Sequence, residues 1–247
     1  LLDNTNLNYG AYASVMEVDF VFSDGLGRIN TGNAILSKFK LTEAQRIKLR
    51  LRTDQSTLVQ YGYARRNIVK VKIPELSQGA KDFYAVNIHA TAFATDDTKQ
   101  QHINKYVETL TDIQDNDNYF VTGGDLNSVP PGSVTDFCES DKCDGEECDE
   151  DYENNKAYQG SYFEHFEGEP DILVPLYNSF IAAIHSADAN LSSHFTHAPS
   201  TSYEKNNVKY DRKLDYLFTN IDWVEGTTRT HQAAWQISDH TPVSGVI

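Results

Sequence analysis

Asp125 and Asn127 stand two positions apart in FVTGGDLNSVPPGS (residues 120–133), where an apolar run enters two glycines and leaves through two prolines. A carboxylate and an amide oxygen are hard donors. They suit a divalent cation such as Mg²⁺, with Mn²⁺ or Ca²⁺ as alternatives, and leave coordination positions for water and phosphate. Three more polar clusters each follow or end an apolar stretch: NIHA with His89, KLDYLF with Asp215, and SDHTPV with Asp239 and His240. Asp125, Asn127 and Asp239 are the candidate metal ligands. If strand geometry persists past the glycines, alternation puts Asp125 and Asn127 on one side, where one orients water and the other meets metal or phosphate oxygen. The imidazoles supply what a cation cannot: removal of a proton from water, stabilisation of the leaving oxygen, and positive charge for the phosphorus centre. Asp215 behind His240 makes an oriented His–Asp pair.

Taken singly, each cluster has a plainer explanation. A Gly-Asp step after a strand is usually a turn, a lone histidine usually satisfies a core hydrogen bond, and Asp215 between Leu214 and Tyr216 suits a solvent-facing strand position. Together and in this order they describe hydrolysis of a phosphate ester by a metal-bound water, with His89, Asp125, Asn127, Asp215 and His240 as the catalytic set.

The elements that must carry these residues are legible from periodicity. Residues 14–22, 33–37 and DFYAVNIHA (82–90) predict strands, and TLVQYGYARRNIVKVKIP (57–74) predicts a hairpin or one long strand bent near Gly62. DDTKQQHINKYVETLTDIQ (96–114) carries Ile103, Tyr106, Val107, Leu110 and Ile113 at helical spacing, with Asp96 and Asp97 where the helix dipole favours them. NYFVTGG, KLDYLFT and TRTHQAAW read as strands, and PDILVPLYNSFIAAIH as a segment holding a short helix. No repeat or linker divides the 247 residues, so the expectation is one α/β domain over 1–247, with largely antiparallel sheets packed face to face.

Composition limits the function classes. A formal net charge of −15 opposes binding to nucleic acid through broad phosphate neutralisation, though it leaves room for a nuclease with a local basic cluster. Two clusters qualify, Arg65, Arg66, Lys70 and Lys72, and Lys205, Lys209, Arg212 and Lys213; a solvated rim is the expected role of both. No apolar run reaches the roughly 18 to 20 residues that span a bilayer. All three cysteines, Cys138, Cys143 and Cys148, fall in the acidic segment CESDKCDGEECDED, in a Cys-rich acidic loop at about 134–160 within a polar excursion over residues 132–168. Zinc normally takes four ligands at tighter spacing, so one short-loop disulfide is expected, and with it an extracellular or periplasmic location.

VNIHA, GGDLNSVP, KLDYLFTN and SDHTPV resemble the ordered motifs of the endonuclease/exonuclease/phosphatase superfamily, with its deoxyribonuclease-I-like fold, and GNAILSKF (32–39) resembles a fifth, structural motif. The resemblance covers residues 14–247. It implies a four-layered α/β sandwich of two packed sheets flanked by helices, with the site at one sheet edge. It also implies roles: His89 contacts phosphate or acts as acid, Asp125 positions or deprotonates water, Asn127 neighbours phosphate or metal, Asp239 is a metal-side carboxylate, and Asp215 with His240 forms the dyad. Which histidine is acid and which is base varies in the family and stays open.

One departure stands out. Members carry an asparagine-bearing strand and a strand ending in a metal-binding glutamate ahead of the segment resembling GNAILSKF, whereas 31 residues precede Gly32 here. Glu17, the sole glutamate among them, falls inside the next expected strand. Those two ligands are therefore expected upstream or from a partner. A non-catalytic binding module that keeps the fold is the alternative reading. The tryptophan-rich and Trp-Cys-Asp-Arg segments of inositol-phosphate phosphatases are absent, and the charge fits abasic-site repair poorly. The expected substrates are thus those of a secreted nuclease or a sphingomyelinase-like phosphodiesterase: nucleic acid or a phospholipid headgroup.

Overall fold

The structure is a computed structural model that describes residues 5–18, 29–92, 94, 96–133, 171–198, 210, 212–234 and 238–247. Strands β1 (Tyr9–Val18) and β2 (Ile29–Ser37) form an antiparallel hairpin. They are followed by β3 (Thr42–Lys48), a short helix α1 (Thr57–Gly62), β4 (Asn67–Lys72) and β5 (Phe83–His89). The long helix α2 (Thr98–Asp115) leads to β6 (Tyr119–Asp125). After it come α3 (Val174–Ser179) and β7 (Ile181–Ala182). The last strands are β8 (Asp215–Thr219), β9 (Arg229–Thr230) and β10 (Val243–Ser244).

Six strands make one sheet in the order β3-β4-β5-β6-β8-β7. Only β5 and β6 are parallel within it, because α2 carries the chain back across the sheet between them. Central strands are apolar on both faces. Ile68, Val86, Ile88, Phe120, Tyr216 and Phe218 point to the α2 side, where Ile103, Tyr106, Leu110 and Ile113 meet them. Val69, Val71, Phe83 and Ala85 point to the other side and are covered by Ala13 and Ile35 of the hairpin. Full burial of each such Ile, Leu or Phe contributes about 1.5–3 kcal/mol. Hairpin, sheet and helices are three of the four layers expected of this α/β fold. Among the described residues no helix is long and apolar enough to cross a membrane.

Local chemistry explains where the elements differ from expectation. Residues 57–62 are helical rather than extended, since the Ser56 hydroxyl accepts from Val59 N and caps a first turn, and the strand is confined to Asn67–Lys72. α2 starts at Thr98, later than the acidic pair suggests, because the Asp96 carboxylate accepts from Thr98 N at 3.0 Å and from Thr53 N at 2.7 Å. The strand expected in TRTHQAAW lasts only two residues: Gln232 Nε2 donates to Ser192 O and Phe195 O, and Gln232–Ala234 turns out of the ladder as a 3₁₀ helix. The acidic segment with Cys138, Cys143 and Cys148, like Lys205 and Lys209, lies outside the described residues.

Candidate active site

Parallel pairing of β5 with β6 brings their C-terminal ends to one edge of the sheet, and antiparallel β8 begins there. The register sets His89 opposite Asp125, and Asp125 opposite Asp215. Paired residues of adjacent strands share a face, so all three side chains lie on the face that carries the hairpin, beyond its end. His89 Nε2 is 3.3 Å from Asp125 Oδ2.

The Gly-Gly step permits this approach. Gly124 has φ +145°, and a Cβ on it would fall 1.8 Å from Ile88 O. Gly123 also passes close to Leu217, where a Cβ would lie 2.4 Å from Cδ2. Beyond Asp125 the expected alternation ends. Asn127 takes a left-handed backbone at φ 47°, its N–H donates to Asp125 Oδ1 at 2.8 Å, and its Nδ2 donates to Ala90 O at 3.0 Å. Asn127 is buried and braces the carboxylate from behind. Its amide oxygen is the atom left to meet a cation.

His240 arrives from a distant segment. Residues 196–198 are stitched to two neighbours: Thr196 N and His197 N donate to Arg212 O, Ala198 N donates to Asp239 O at 2.7 Å, and Thr241 N donates to Thr196 O at 2.8 Å. The Thr196 hydroxyl also accepts from Leu214 N and Asp215 N at 2.9 and 3.0 Å, which holds the start of β8. Asp215 and His240 are thereby clamped to the same short segment, and His240 Nδ1 lies 2.8 Å from Asp215 Oδ2. Asp239 is exposed beside it.

Electrostatics separate the groups. Burial works against the His240 cation, but the hydrogen bond from Asp215 and the charges of Asp215, Asp125 and Asp239 outweigh it and push the ring up to about 9. Burial, with the charges of Arg66 and His240, lowers His89 to about 4. Its side chain keeps 40% of its surface open, so water screens part of this effect. Burial and the neighbouring Asp215 charge raise Asp125 to about 6. The surroundings therefore favour the cation at 240 and the neutral ring at 89, and they make Asp125 hold its charge less readily than a free carboxylate.

Two groups have donor atoms mutually within 4.8 Å: Asp125, Asp215 and His240, and His197, Asp239 and His240. Asp239 thus stands in a different group from Asp125, with His240 shared. The first group suits a hard divalent cation chemically, since the carboxylate pair raises Asp125 and a cation would relieve that repulsion.

The basic residues divide differently from the solvated rims expected. Lys72 is held by Asp82 at 2.7 Å and Glu43 at 3.3 Å, and Lys70 lies over the Tyr84 ring. Arg66 faces the site instead: its charge acts on His89 and Asp125, and its Nε is buried with no hydrogen-bond partner among the described residues. Arg212 and Lys213 are fully buried. Lys213 Nζ donates to Asp215 O at 2.8 Å and sits 4.9 Å from the Tyr216 ring centroid; burial lowers it to about 8. These roles depend on packing, and nothing in the local sequence announces them. His197, whose ring meets that of His240 at a centroid distance of 5.0 Å, belongs to no sequence cluster either.

A sequence profile of the Endonuclease/Exonuclease/phosphatase family matches residues 1–240. No curated protein sequence matches the chain. Among solved structures, the chain is similar to an endonuclease/exonuclease/phosphatase from Beutenbergia cavernae, with 15% identity and a TM-score of 0.60 over 99% of this chain and 54% of that one. It thus spans about half the length of that protein. An AP endonuclease from Archaeoglobus fulgidus is similar at 14% identity and a TM-score of 0.54, over 96% of this chain and 79% of that one. The catalytic domain of Xenopus laevis APE2 has the same identity and TM-score, over 87% and 70%. Likeness at these identities is one of fold, while the profile match spans nearly the whole sequence and includes His89, Asp125, Asp215 and His240. This chain belongs to the endonuclease/exonuclease/phosphatase family.

Proposed function

We propose that this chain hydrolyses phosphate esters, phosphodiesters foremost, with a divalent cation. The observation that carries this reading is the row His89, Asp125 and Asp215 along one sheet edge, closed by His240 on Asp215. Asp125 and the Asn127 amide oxygen, with Asp215 from the same group, would hold the cation, Mg²⁺ by preference for oxygen donors; Asp239, the third ligand expected from the sequence, stands in the neighbouring group. When bound, it supplies Lewis-acid polarisation of the phosphoryl oxygen and eases deprotonation of water.

The remaining work falls to the side chains. Asp125 orients the attacking water and takes its proton, a task for which a carboxylate raised to about 6 is suited. His240, with Nδ1 committed to Asp215, presents Nε2–H to the phosphorus centre or the leaving oxygen. His89, neutral at pH 7, donates or accepts a hydrogen bond at a phosphate oxygen without adding charge. Arg66, whose Nε has no hydrogen-bond partner among the described residues, brings positive charge that a phosphate diester anion needs in an otherwise acidic molecule. A nucleic acid or a phospholipid headgroup is the proposed substrate, and an extracellular or periplasmic setting, suggested by the three cysteines, belongs to the same proposal.

The test is turnover of bis(p-nitrophenyl) phosphate with Mg²⁺, Mn²⁺ or Ca²⁺, followed by DNA, RNA, sphingomyelin and phosphomonoesters. Metal-dependent hydrolysis abolished by a chelator is expected. Folded protein without turnover under any of these metals would favour a non-catalytic binding module.

A further inference from the structure

We infer that His197, Asp239 and His240 form a site for a single transition-metal ion, zinc foremost, whose occupation blocks turnover. Two imidazoles and one carboxylate are a borderline-soft donor set that zinc or cobalt takes in preference to magnesium, which demands oxygen. The three donor atoms already lie within 4.8 Å of one another. Tetrahedral zinc with bonds of about 2.0–2.1 Å needs donors roughly 3.4 Å apart. The contraction needed falls to Asp239, whose side chain is exposed.

The backbone has preassembled the rest. Ala198 N donates to Asp239 O and Thr241 N to Thr196 O, so the two short segments carrying the ligands are paired side by side. Asp215 adds a feature that metal-binding histidines need: by holding His240 Nδ1 at 2.8 Å it fixes the ring and leaves Nε2 for the ion, a carboxylate–histidine–metal arrangement. Binding displaces one proton from Nε2, and the fourth position stays open to water because Asp239 faces solvent. Blocking follows because zinc takes His240, the residue shared by the two groups, out of the phosphoesterase machinery. That consequence rests on the function proposed above, whereas the metal site does not.

The experiment uses the whole chain, metal-free, with its cysteines alkylated so that thiolate cannot bind the probe. Co²⁺ is titrated alone and followed by the visible ligand-field bands of four-coordinate cobalt. Wild type is expected to give one equivalent of such bands, displaced by stoichiometric Zn²⁺ and not by excess Mg²⁺. His197→Gln should weaken cobalt binding by roughly 100-fold, retain Mg²⁺-dependent turnover, and escape inhibition at zinc concentrations that stop wild type. His197→Phe, which keeps a ring beside His240, checks that lost binding is lost ligation and not lost packing. Absence of the four-coordinate spectrum in wild type, or equally tight cobalt binding by folded His197→Gln, overturns the site. If the bands and their loss in His197→Gln appear in a protein without phosphoesterase activity, the site stands and only the functional reading fails. Bands with undiminished turnover at saturating zinc overturn the blocking role.

Discussion

His240 Nδ1 lies 2.8 Å from Asp215 Oδ2, a hydrogen bond between residues 25 positions apart that no local turn could create. The segment around Thr196 makes it, by accepting the start of β8 on one side and pairing with residues 239–241 on the other. The relationship fixes the tautomer and the charge of His240, and the expected consequences begin there.

His240→Ala and Asp125→Asn should each lower kcat by about 10²- to 10⁴-fold, the usual cost of losing a general acid or base. Both side chains stand at the sheet edge rather than among the core clusters, so circular dichroism and melting should change little. Near-normal kcat in both folded variants would remove the assignment.

The pH profile should be bell-shaped. His240 is raised above its ordinary 6.5 to about 9, so an acid that must be protonated is present below that value, and kcat/KM should fall as pH rises through about 9. Asp125 as base must be ionised, which gives an acidic limb near 6 without metal and lower with a bound cation. Asp215→Asn removes the interactions that hold the proton on His240, and the alkaline limb should move down toward 6.5. An alkaline limb unmoved by that substitution would assign it to another group.

Stability should fall in acid because of His102, which is buried on the inner face of α2, accepts from Thr91 N at Nδ1 and meets Arg50 O at Nε2, 2.7 Å away. That arrangement needs the neutral ring, and burial lowers it to about 4. A folded value below the unfolded one means the contribution is complete above about 6.5 and is lost as pH falls toward 4, on the order of 2–3 kcal/mol. Urea denaturation at pH 7 and 4.5 measures it. His102→Gln should flatten the difference, and an unchanged slope would assign the acid sensitivity elsewhere.

Gly124→Ala should cost more than about 3 kcal/mol, since the added methyl collides with Ile88 O in a backbone conformation that L-residues avoid. Gly132→Ala has a positive φ but open space around it and should cost about 1 kcal/mol. Equal denaturation midpoints for the two variants would contradict the close approach of β5 and β6.

What was legible in the sequence is what local chemistry determines. The periodicity of Ile103, Tyr106, Leu110 and Ile113 defined α2, and the apolar runs ending in His89 and Asp125 and the one starting after Asp215 located the strand ends, because side-chain alternation and helical spacing are properties of a few consecutive residues. The resemblance of four short motifs pointed to the family on the same local basis. Only the tertiary structure decided relationships set by register and burial. Extension through residues 57–62 was overridden by a capped turn, and the alternation from Asp125 to Asn127 by a left-handed residue that braces the carboxylate. Arg212 and Lys213 read as solvated charges yet are buried, because the pairing of residues 196–198 draws that strand entry inside. Arg66 and His197 carry no signal in their own neighbourhoods; the first reaches the site because β4 starts at the same sheet edge, the second because one backbone segment bridges two others. Hydrogen bonds between segments far apart in the chain decide such neighbours, and a linear pattern does not record them.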